Sequence, residues 1–494
     1  MASYDYDLAV IGGGAAGLTA AGIAGNTGVK TLMVERDRLG GDCTWTGCVP
    51  SKTLLHAASL AHATRSLNRF SKADLTPEVD FPAVVGHVHR LRDEIYEDAD
   101  APEIYEGFGV DVVHGNARFI DPHTLEIDND EGSTRRVTAR QFVIATGGRA
   151  SVPPIDGLDT VEYLTNETLF EIETQPERLV IIGGGPIGAE MAQAFQRLGT
   201  QVTVLDRGAR LLGRDDPEHA AMLMDVLNEE GVRLIMNAFV KRVAPGRESG
   251  VAVHVSFEGK QSVVEGDRLL MATGRQPNVE GLGLEAAGVR IEKKGIVADE
   301  RCRTSQKHIY AIGDCTGEYQ LTHMSEHMAK VAATNAVLKV PMKIDRAHVP
   351  WVTYTTPEVA QLGKTEQQLR DDGTDFEVYR FPYTKVDRAI TDDATVGQIK
   401  VFATKWRGKI FGVSIVGERA GELLGLYAVA MKGGLSLREI ADTIIPYPTY
   451  ALGARRAADQ WYVRKQYPQA IKLLQRVFGY RGTVPPPPDP NRIV

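Results

Sequence analysis

A unit made of a strand, a glycine run, a helix and a second strand occurs twice in this chain of 494 residues. The first copy spans residues 6–36 and the second spans residues 178–206. Each copy ends on an acidic residue, Glu35 in the first and Asp206 in the second. This order of elements is that of a βαβ unit, in which helices cover a parallel sheet. The duplication therefore predicts an α/β chain that contains two similar domains.

The glycines of the first copy follow the GxGxxG pattern, or glycine fingerprint, of a Rossmann-like dinucleotide site. Gly12 permits the tight turn from strand to helix, Gly14 lets the backbone approach a pyrophosphate, and Gly17 lets the helix pack on the strand. The helix N-terminus offers free N–H groups and the positive end of a dipole, and both favour an anion. Glu35 lies where a carboxylate can bind a ribose. The sequence therefore predicts a dinucleotide site here.

The second copy repeats this pattern at Gly183, Gly185 and Gly188 and leads to Asp206. A carboxylate at that position accepts hydrogen bonds from a free 2′-hydroxyl and repels a 2′-phosphate, which favours NADH. Arg207 follows directly and could instead bind the 2′-phosphate of NADPH. We therefore expect a nicotinamide nucleotide, with NADH slightly favoured over NADPH.

Two cysteines five positions apart, Cys43 and Cys48, follow the first unit closely. A distorted helix start could bring the two sulfurs together, and a helix N-terminus would lower the pKa of a thiolate. A redox-active disulfide is the favoured interpretation, and a metal site or two buried free thiols are the alternatives. A metal site is disfavoured because no further His or Cys ligands lie nearby. We expect the two remaining cysteines, Cys302 and Cys315, to be free thiols.

Taken in order, these motifs resemble the class I pyridine nucleotide–disulfide oxidoreductases, which include dihydrolipoamide dehydrogenase, glutathione reductase and mercuric reductase. The resemblance runs from about residue 6 to about residue 458, and the run GGDCTWTGCVPSK around the two cysteines is its most specific part. It implies two Rossmann-like dinucleotide-binding domains, for FAD and NAD(P), and a C-terminal α+β dimerisation domain. It also implies a homodimer whose active site is shared between subunits.

The resemblance assigns different roles to the two thiols. Cys48 corresponds to the thiol beside the flavin, which forms a charge-transfer thiolate, and Cys43 corresponds to the interchange thiol that meets the acceptor. Lys52 corresponds to a lysine near the flavin that pairs with a glutamate at the position of Glu190, and that pair could equally be structural. The implied path of electrons is from NAD(P)H to FAD, to the disulfide, and on to an acceptor.

Further cofactor contacts follow from the same resemblance. Asp314 corresponds to a ligand of the ribityl chain, and a helix that begins at Thr322 would aim its dipole at the isoalloxazine. The implied FAD-binding residues are Gly12, Gly14, Gly17, Glu35, Lys52, Gly115, Thr146, Gly147, Asp314 and Thr322. The implied NAD(P)-binding residues are Gly183, Gly185, Gly188, Glu190, Asp206, Arg207 and Gly274.

The sequence departs from the family pattern at the acid–base pair. Dihydrolipoamide dehydrogenase and glutathione reductase use a His-Pro-Thr-x-x-Glu motif, but Tyr447 and Leu452 occupy the two catalytic positions here. A phenol titrates near about 10 and is a poor base at neutral pH, so efficient use of dihydrolipoamide or glutathione is not expected. Mercuric reductases carry a tyrosine at this position, yet this chain lacks their C-terminal cysteine pair, because no cysteine follows Cys315.

These observations predict an oxidoreductase with an unidentified acceptor: a small disulfide, a quinone or a thiol-bound metal ion. Tyr447 is a candidate catalytic residue beside the two cysteines. The alternatives are a dihydrolipoamide dehydrogenase with an atypical acid–base residue and a non-catalytic flavoprotein that senses redox state. We expect an FAD-binding domain in two parts (1–150 and 281–345), an NAD(P)-binding domain (151–280), a dimerisation domain (346–470) and a tail (471–494).

Composition excludes several other classes of protein. The formal net charge of -8 argues against nucleic-acid binding, and no resident metal is expected. No run of about 18 apolar residues is present, so no membrane span is expected. The apolar N-terminal stretch lacks a preceding basic region and is better explained by the first glycine fingerprint than by a signal peptide. We therefore expect a cytoplasmic location. The proline-rich end, residues 482–494, is expected to be extended or disordered.

Overall fold

The computed structural model describes residues 3–129, 132–247, 250–464 and 468–483. The chain divides into two compact units, one of residues 1–207 and 231–344 and one of residues 208–230 and 345–494. The proline-rich end from residue 484 onward, predicted to be extended, lies outside the described residues.

The first unit contains both βαβ repeats. Its strands are β1 Tyr6–Ile11, β2 Thr31–Glu35, β3 Val110–His114, β4 Asn116–Asp121, β5 Thr124–Asp128, β6 Thr134–Ile144, β7 Gly148–Ala150, β8 Arg178–Ile182, β9 Gln201–Leu205, β10 Arg233–Ile235, β11 Phe239–Pro245, β12 Val251–Phe257, β13 Lys260–Gly266, β14 Arg268–Met271, β15 Arg275–Pro277, β16 Ile291–Glu292, β17 Gly295–Ile296 and β18 Ile309–Ala311. Its α-helices are α1 Ala15–Asn26, α2 Gly41–Trp45, α3 Cys48–Ser66, α4 Phe81–Ile95, α5 Pro102–Gly107, α6 Pro186–Leu198 and α8 Thr322–Ala333.

The first repeat forms the centre of a seven-stranded sheet with the order β3-β2-β1-β6-β5-β4, in which β18 also pairs with β6. Strand β1 runs parallel to both β2 and β6, and its residues from Leu8 to Ile11 are buried. The small residues of α1 allow close packing, since Ala20, Ala21 and Ala24 have no exposed surface. A parallel strand buried on both faces is what an α/β domain requires.

The second repeat forms a four-stranded parallel sheet with the order β10-β9-β8-β14. Helix α6 begins with Pro186 in its first turn and ends at Gly199, which has a left-handed φ of 110°. Proline at the start and glycine at the end are the residue types that each end of a helix favours. The two sheets confirm the predicted pair of Rossmann-like domains.

The second unit is built on an antiparallel sheet with the order β19-β20-β23-β22-β21. Its strands are β19 Pro350–Thr353, β20 Glu358–Gly363, β21 Glu377–Pro382, β22 Gln398–Ala403 and β23 Ile410–Gly417. Its helices are α7 Pro217–Glu229, α9 Glu366–Asp371, α10 Asp387–Thr391, α11 Ala420–Lys432, α12 Leu437–Asp442, α13 Ala451–Arg464 and α14 Pro468–Phe478. This arrangement is the predicted α+β domain, and α14 lies partly within residues 471–494, which were expected to be a tail.

Helix α7 belongs to the second unit although its sequence lies within residues 151–280, the predicted NAD(P)-binding range. Asp216 caps the helix by accepting hydrogen bonds from the backbone N–H groups of Glu218 and His219. The same carboxylate accepts a 2.8 Å hydrogen bond from Lys400 on β22, and both side chains are buried. This ion pair ties the helix to the sheet, because an unpaired charge at that depth would be costly.

Candidate active site

The first glycine fingerprint has the geometry that its sequence predicts. Gly12 has a φ of +103°, and a Cβ atom on Gly17 would lie 1.8 Å from the carbonyl oxygen of Gly12. A Cβ atom on Gly14 would meet only Gly41, at 3.7 Å, so the backbone there is open to a ligand. The carboxylate of Glu35 accepts a 2.6 Å hydrogen bond from the N–H of Gly13. Gly14 caps α1 without a side-chain hydrogen bond, which leaves N–H groups at the helix start for an anion.

The second fingerprint has the same geometry. Gly183 has a φ of +118°, and a Cβ atom on Gly188 would lie 1.9 Å from the carbonyl oxygen of Gly183. Nothing lies within 4 Å of a Cβ atom built on Gly185. The carboxylate of Asp206 accepts a 2.5 Å hydrogen bond from the N–H of Gly184, and the Arg207 side chain is exposed beside it. Both fingerprints therefore fit a dinucleotide, with the pyrophosphate at the helix start and the ribose beside the acid.

Two Thr-Gly turns, Thr146-Gly147 and Thr273-Gly274, are joined to one another. Strand β7 pairs with β15, and the hydroxyl of Thr146 donates a 2.7 Å hydrogen bond to the carbonyl oxygen of Asn278. Gly147 and Gly274 have φ values of +67° and +125°, and a Cβ atom on either one would meet nothing within 4 Å. The sequence did not predict Asn278, which anchors the first turn.

Gly115, at the end of β3, donates from its N–H to the carbonyl oxygen of Glu35 at 2.8 Å.

The two cysteines lie together at adjoining helix ends. Cys43 is in the short helix α2, and Cys48 is the first residue of α3. Their side chains share a hydrogen bond. The hydroxyl of Thr322, the first residue of α8, lies 3.4 Å from the sulfur of Cys48. Cys302 and Cys315 are buried and neither is in a disulfide, as expected.

The two thiols differ in acidity. The pKa of Cys48 is lowered to about 6. The hydrogen bond from Cys43 is the largest cause. The hydrogen bond from Thr322 and the charge of Lys52 act in the same direction, and together the three outweigh the effect of burial. The same hydrogen bond to Cys48, together with burial, raises the pKa of Cys43. When the pair holds a single proton, Cys43 therefore carries it and Cys48 carries the negative charge. The charge-transfer role of Cys48 and the interchange role of Cys43 stay predictions, which this difference in acidity favours.

Lys52 and Glu190 form the predicted ion pair. The ammonium of Lys52 lies 2.9 Å from the carboxylate of Glu190, whose side chain is 6% exposed, whereas that of Lys52 is 38% exposed. Lys52 is on α3, one turn after Cys48, and Glu190 is on α6. The pair therefore links the thiol-bearing helix to the first helix of the second βαβ repeat.

A second polar network was not predicted from the sequence. The guanidinium of Arg275, only 13% exposed, lies 3.0 Å from the carboxylate of Asp42 and 3.3 Å from that of Asp314. Asp42 also accepts hydrogen bonds from Thr46 at 2.6 Å and from Asn166 at 3.0 Å. Because Asp42 precedes Cys43 directly, the network fixes the short helix α2 that carries Cys43. The one feature of the sequence that could have indicated a role for Arg275 is its position immediately after a Thr-Gly turn.

Tyr447 lies in the second unit and is 69% exposed. Its peptide bond to Pro448 is cis, and a hydrogen bond to the carboxylate of Asp387 raises the pKa of its phenol above the usual value. The phenol therefore stays protonated to a higher pH than an ordinary tyrosine, and even less phenolate is available to act as a base at neutral pH. Leu452, at the position of the family glutamate, is in the first turn of α13.

We expect Lys52→Met to make the thiolate of Cys48 harder to form, because the lysine charge helps to lower the pKa of that thiol. In the reduced protein, the thiolate absorbance should titrate near pH 6, and the midpoint should move upward in the variant. Glu190→Gln keeps the lysine charge and should not raise the midpoint. Lys307→Met removes an exposed lysine elsewhere and serves as the matched control. An unchanged midpoint in Lys52→Met would show that this charge does not act on the thiol.

The described residues contain no group of three His, Cys, Asp or Glu side chains that could hold a metal ion. Among the helices of the described ranges, none combines the length and the apolar character that a transmembrane span requires.

Residues 6–329 match the family model for pyridine nucleotide-disulphide oxidoreductases, and residues 349–458 match the dimerisation domain of the same family. Mercuric reductase of Staphylococcus aureus is 36% identical over 464 residues, which covers 92% of this chain and 82% of the relative. Dihydrolipoamide dehydrogenase of Chaetomium thermophilum is 32% identical over 469 residues, which covers 93% of this chain and 91% of the relative.

Two solved structures are also similar. A Cu(II) complex of the HOCl-induced flavoprotein disulfide reductase RclA from Escherichia coli has a TM-score of 0.80 and 29% identity, and the match covers 94% of this chain and 100% of that chain. LpdA from Mycobacterium tuberculosis has a TM-score of 0.85 and 28% identity, with 92% and 99% covered.

Proposed function

Because the chain belongs to the pyridine nucleotide-disulphide oxidoreductase family of FAD-dependent enzymes, we propose that it carries electrons from NAD(P)H, by way of FAD, to Cys43 and Cys48 and then to an acceptor. The observation that carries this proposal is the geometry of the two cysteines, which share a hydrogen bond at adjoining helix ends, with the hydroxyl of Thr322 3.4 Å from the sulfur of Cys48. Two structural thiols would need neither the shared hydrogen bond nor the nearby charge of Lys52.

The chain's own residues divide the work between holding cofactors and exchanging thiols. The first fingerprint with Glu35 would hold FAD, and the second with Asp206 would hold the nicotinamide nucleotide. When bound, FAD supplies the chemistry that accepts a hydride and passes on an electron pair. Two electrons and one proton convert the disulfide into a thiolate on Cys48 and a thiol on Cys43. Thr322 and Lys52 then hold the negative charge on Cys48, while Cys43 keeps its proton and faces the acceptor.

The state of Cys43 bears on which acceptor the enzyme uses. Attack on a disulfide requires the thiolate, but the pKa of Cys43 is raised and Tyr447 is a poor base. A thiophilic metal ion can displace the proton of a thiol without a base, because metal binding itself favours the thiolate. We therefore propose a soft metal ion bound to thiols as the acceptor class, ahead of small disulfides and quinones. The similarity to a mercuric reductase supports this order.

We also propose that the enzyme acts as a homodimer whose active site is shared between subunits. The match of residues 349–458 to the family's dimerisation domain supports this assembly. In this homodimer, Tyr447 of one chain would approach the two cysteines of the other chain. A cytoplasmic location stays a prediction.

Anaerobic titration of the FAD-loaded protein with NADH, and separately with NADPH, tests this function. A long-wavelength charge-transfer band should appear as the thiolate of Cys48 forms beside the flavin. Steady-state consumption of NADH should then be measured with Hg(II), Cu(II), small disulfides and quinones. Flavin reduction without the band, and without turnover of any acceptor, would support the redox-sensor alternative and contradict an enzymatic role.

We expect Asp206→Asn to weaken the preference for NADH. The amide can still accept from the N–H of Gly184, but it loses the charge that binds a ribose hydroxyl and repels a 2′-phosphate. A hydrogen bond to a charged group contributes about 1.5–3 kcal/mol, so the NADH-to-NADPH ratio of kcat/KM should fall roughly tenfold to hundredfold. Asp225→Asn, an exposed change outside the fingerprint, is the control. A wild-type preference for NADPH would instead assign the site to Arg207.

A further inference from the structure

The C-terminal helix α14, Pro468–Phe478, lies beyond the part of the chain that matches the family's domains, which ends at residue 458. Nothing in the proposed electron transfer uses it. Its apolar side chains are nevertheless among the most exposed of the protein. The exposed fractions are 61% for Leu473, 50% for Leu474, 66% for Val477, 61% for Phe478 and 65% for the following Tyr480.

The apolar and polar residues of α14 fall on opposite sides. At 3.6 residues per turn, one side carries the apolar residues Ile471, Leu473, Leu474, Val477 and Phe478. The other side carries Lys472, Gln475 and Arg476. The ring of Tyr480 stacks on that of Phe478 at 5.7 Å and extends the apolar side past the helix end. Gly479, with a φ of +69°, permits this turn, and the N–H of Tyr480 bonds to the carbonyl oxygen of Gln475.

The charged residues of the sequence between positions 459 and 489 have one sign. No acidic residue occurs between Asp459 and Asp489, although the whole chain has a formal net charge of -8. The basic residues of this interval are Arg464, Lys465, Lys472, Arg476 and Arg481. A basic amphipathic helix with an exposed apolar side and an aromatic residue at its end has the properties of a helix that lies in the plane of a membrane surface.

We propose that α14 docks the protein on an anionic lipid surface. The apolar side would enter the boundary between headgroups and acyl chains, while Lys472 and Arg476 would contact lipid phosphates. A second copy of the chain could also cover the apolar side, but it would leave the absence of acidic residues unexplained. An anionic bilayer makes use of both sides of the helix. This inference does not depend on which acceptor the enzyme reduces.

Sedimentation of the FAD-loaded protein with lipid vesicles tests the proposal. The protein should sediment with vesicles of phosphatidylcholine mixed with phosphatidylglycerol, and much less with phosphatidylcholine alone. Added salt should weaken the binding. Leu473→Glu and Val477→Glu should each reduce the partition coefficient roughly tenfold or more, as should Lys472→Gln combined with Arg476→Gln.

Val263→Glu makes the same change at an exposed strand residue of the other unit and should bind as the wild type does. Flavin content should be equal in all variants, because none of the changed side chains lies in a fingerprint. Failure of the wild type to bind phosphatidylglycerol vesicles would overturn the proposal, as would wild-type binding by both glutamate variants. If light scattering shows that Leu473→Glu only lowers the oligomeric state, a second copy covers the helix and the proposal is wrong.

Discussion

Cys48→Ser should abolish transfer of electrons to any acceptor and should also remove the charge-transfer band of the reduced protein. Cys48 carries the negative charge of the pair, because its pKa is lowered to about 6 whereas that of Cys43 is raised. A serine hydroxyl cannot form a disulfide and does not ionise near neutral pH. We expect the rate of acceptor reduction to fall roughly a thousandfold or more, as for loss of a nucleophile.

Cys43→Ser should give a different result and so separates the two roles. Acceptor reduction should fall by a similar factor, but Cys48 remains beside Thr322 and Lys52, and the thiolate band should persist. In Cys43→Ala the midpoint should rise, since alanine cannot donate the hydrogen bond that is the largest cause of the lowered pKa of Cys48. Cys302→Ala removes a buried thiol elsewhere and should leave both measurements unchanged. If Cys48→Ser retained the band, the assignment of the two cysteines would be wrong.

The parts of the site that the sequence predicted are those that lie within short segments. The glycines, the acid that ends each βαβ unit and the two cysteines are each defined by a local backbone requirement. Gly17 must lack a Cβ atom because the carbonyl oxygen of Gly12 would lie 1.8 Å from it, and such a constraint leaves a readable residue pattern. The Lys52–Glu190 pair joins residues 138 positions apart and was expected only through the family resemblance.

The parts that the sequence did not predict depend on tertiary packing. Arg275 reaches Asp42 across more than 200 positions, and no local pattern indicates that those two side chains meet. The assignment of α7 to the second unit depends on the buried pair of Asp216 and Lys400, which are 184 positions apart. An ordinary amphipathic helix between two strands of a Rossmann-like domain is expected to cover that domain's own sheet, so its sequence pattern gave no reason to place it elsewhere.

Introducing the family's His/Glu acid–base pair should increase dihydrolipoamide dehydrogenase activity, which the sequence of this chain argues against. Tyr447→His combined with Leu452→Glu restores the family's residues at both positions. An imidazole titrates at about 6.5 and can take the proton of a dihydrolipoamide thiol as that thiol attacks the Cys43–Cys48 disulfide, whereas the phenol of Tyr447 has a raised pKa and stays protonated. General-base catalysis contributes about 10²–10⁴-fold, so NAD⁺ reduction driven by dihydrolipoamide should rise by roughly that factor.

The single variants and the wild type distinguish the competing explanations. Tyr447→His alone should gain less than the double variant, because the glutamate orients the imidazole and stabilises its charged form. Tyr447→Phe should leave metal-ion reduction nearly unchanged if the phenol only positions the acceptor, and should reduce it if the hydroxyl binds or protonates the acceptor. Wild-type turnover of dihydrolipoamide at a rate that the double variant does not improve would establish an atypical dihydrolipoamide dehydrogenase. In that case the proton of Cys43 can leave by a route that needs neither Tyr447 nor an imidazole. A soft metal ion would then no longer be favoured over a disulfide as the acceptor.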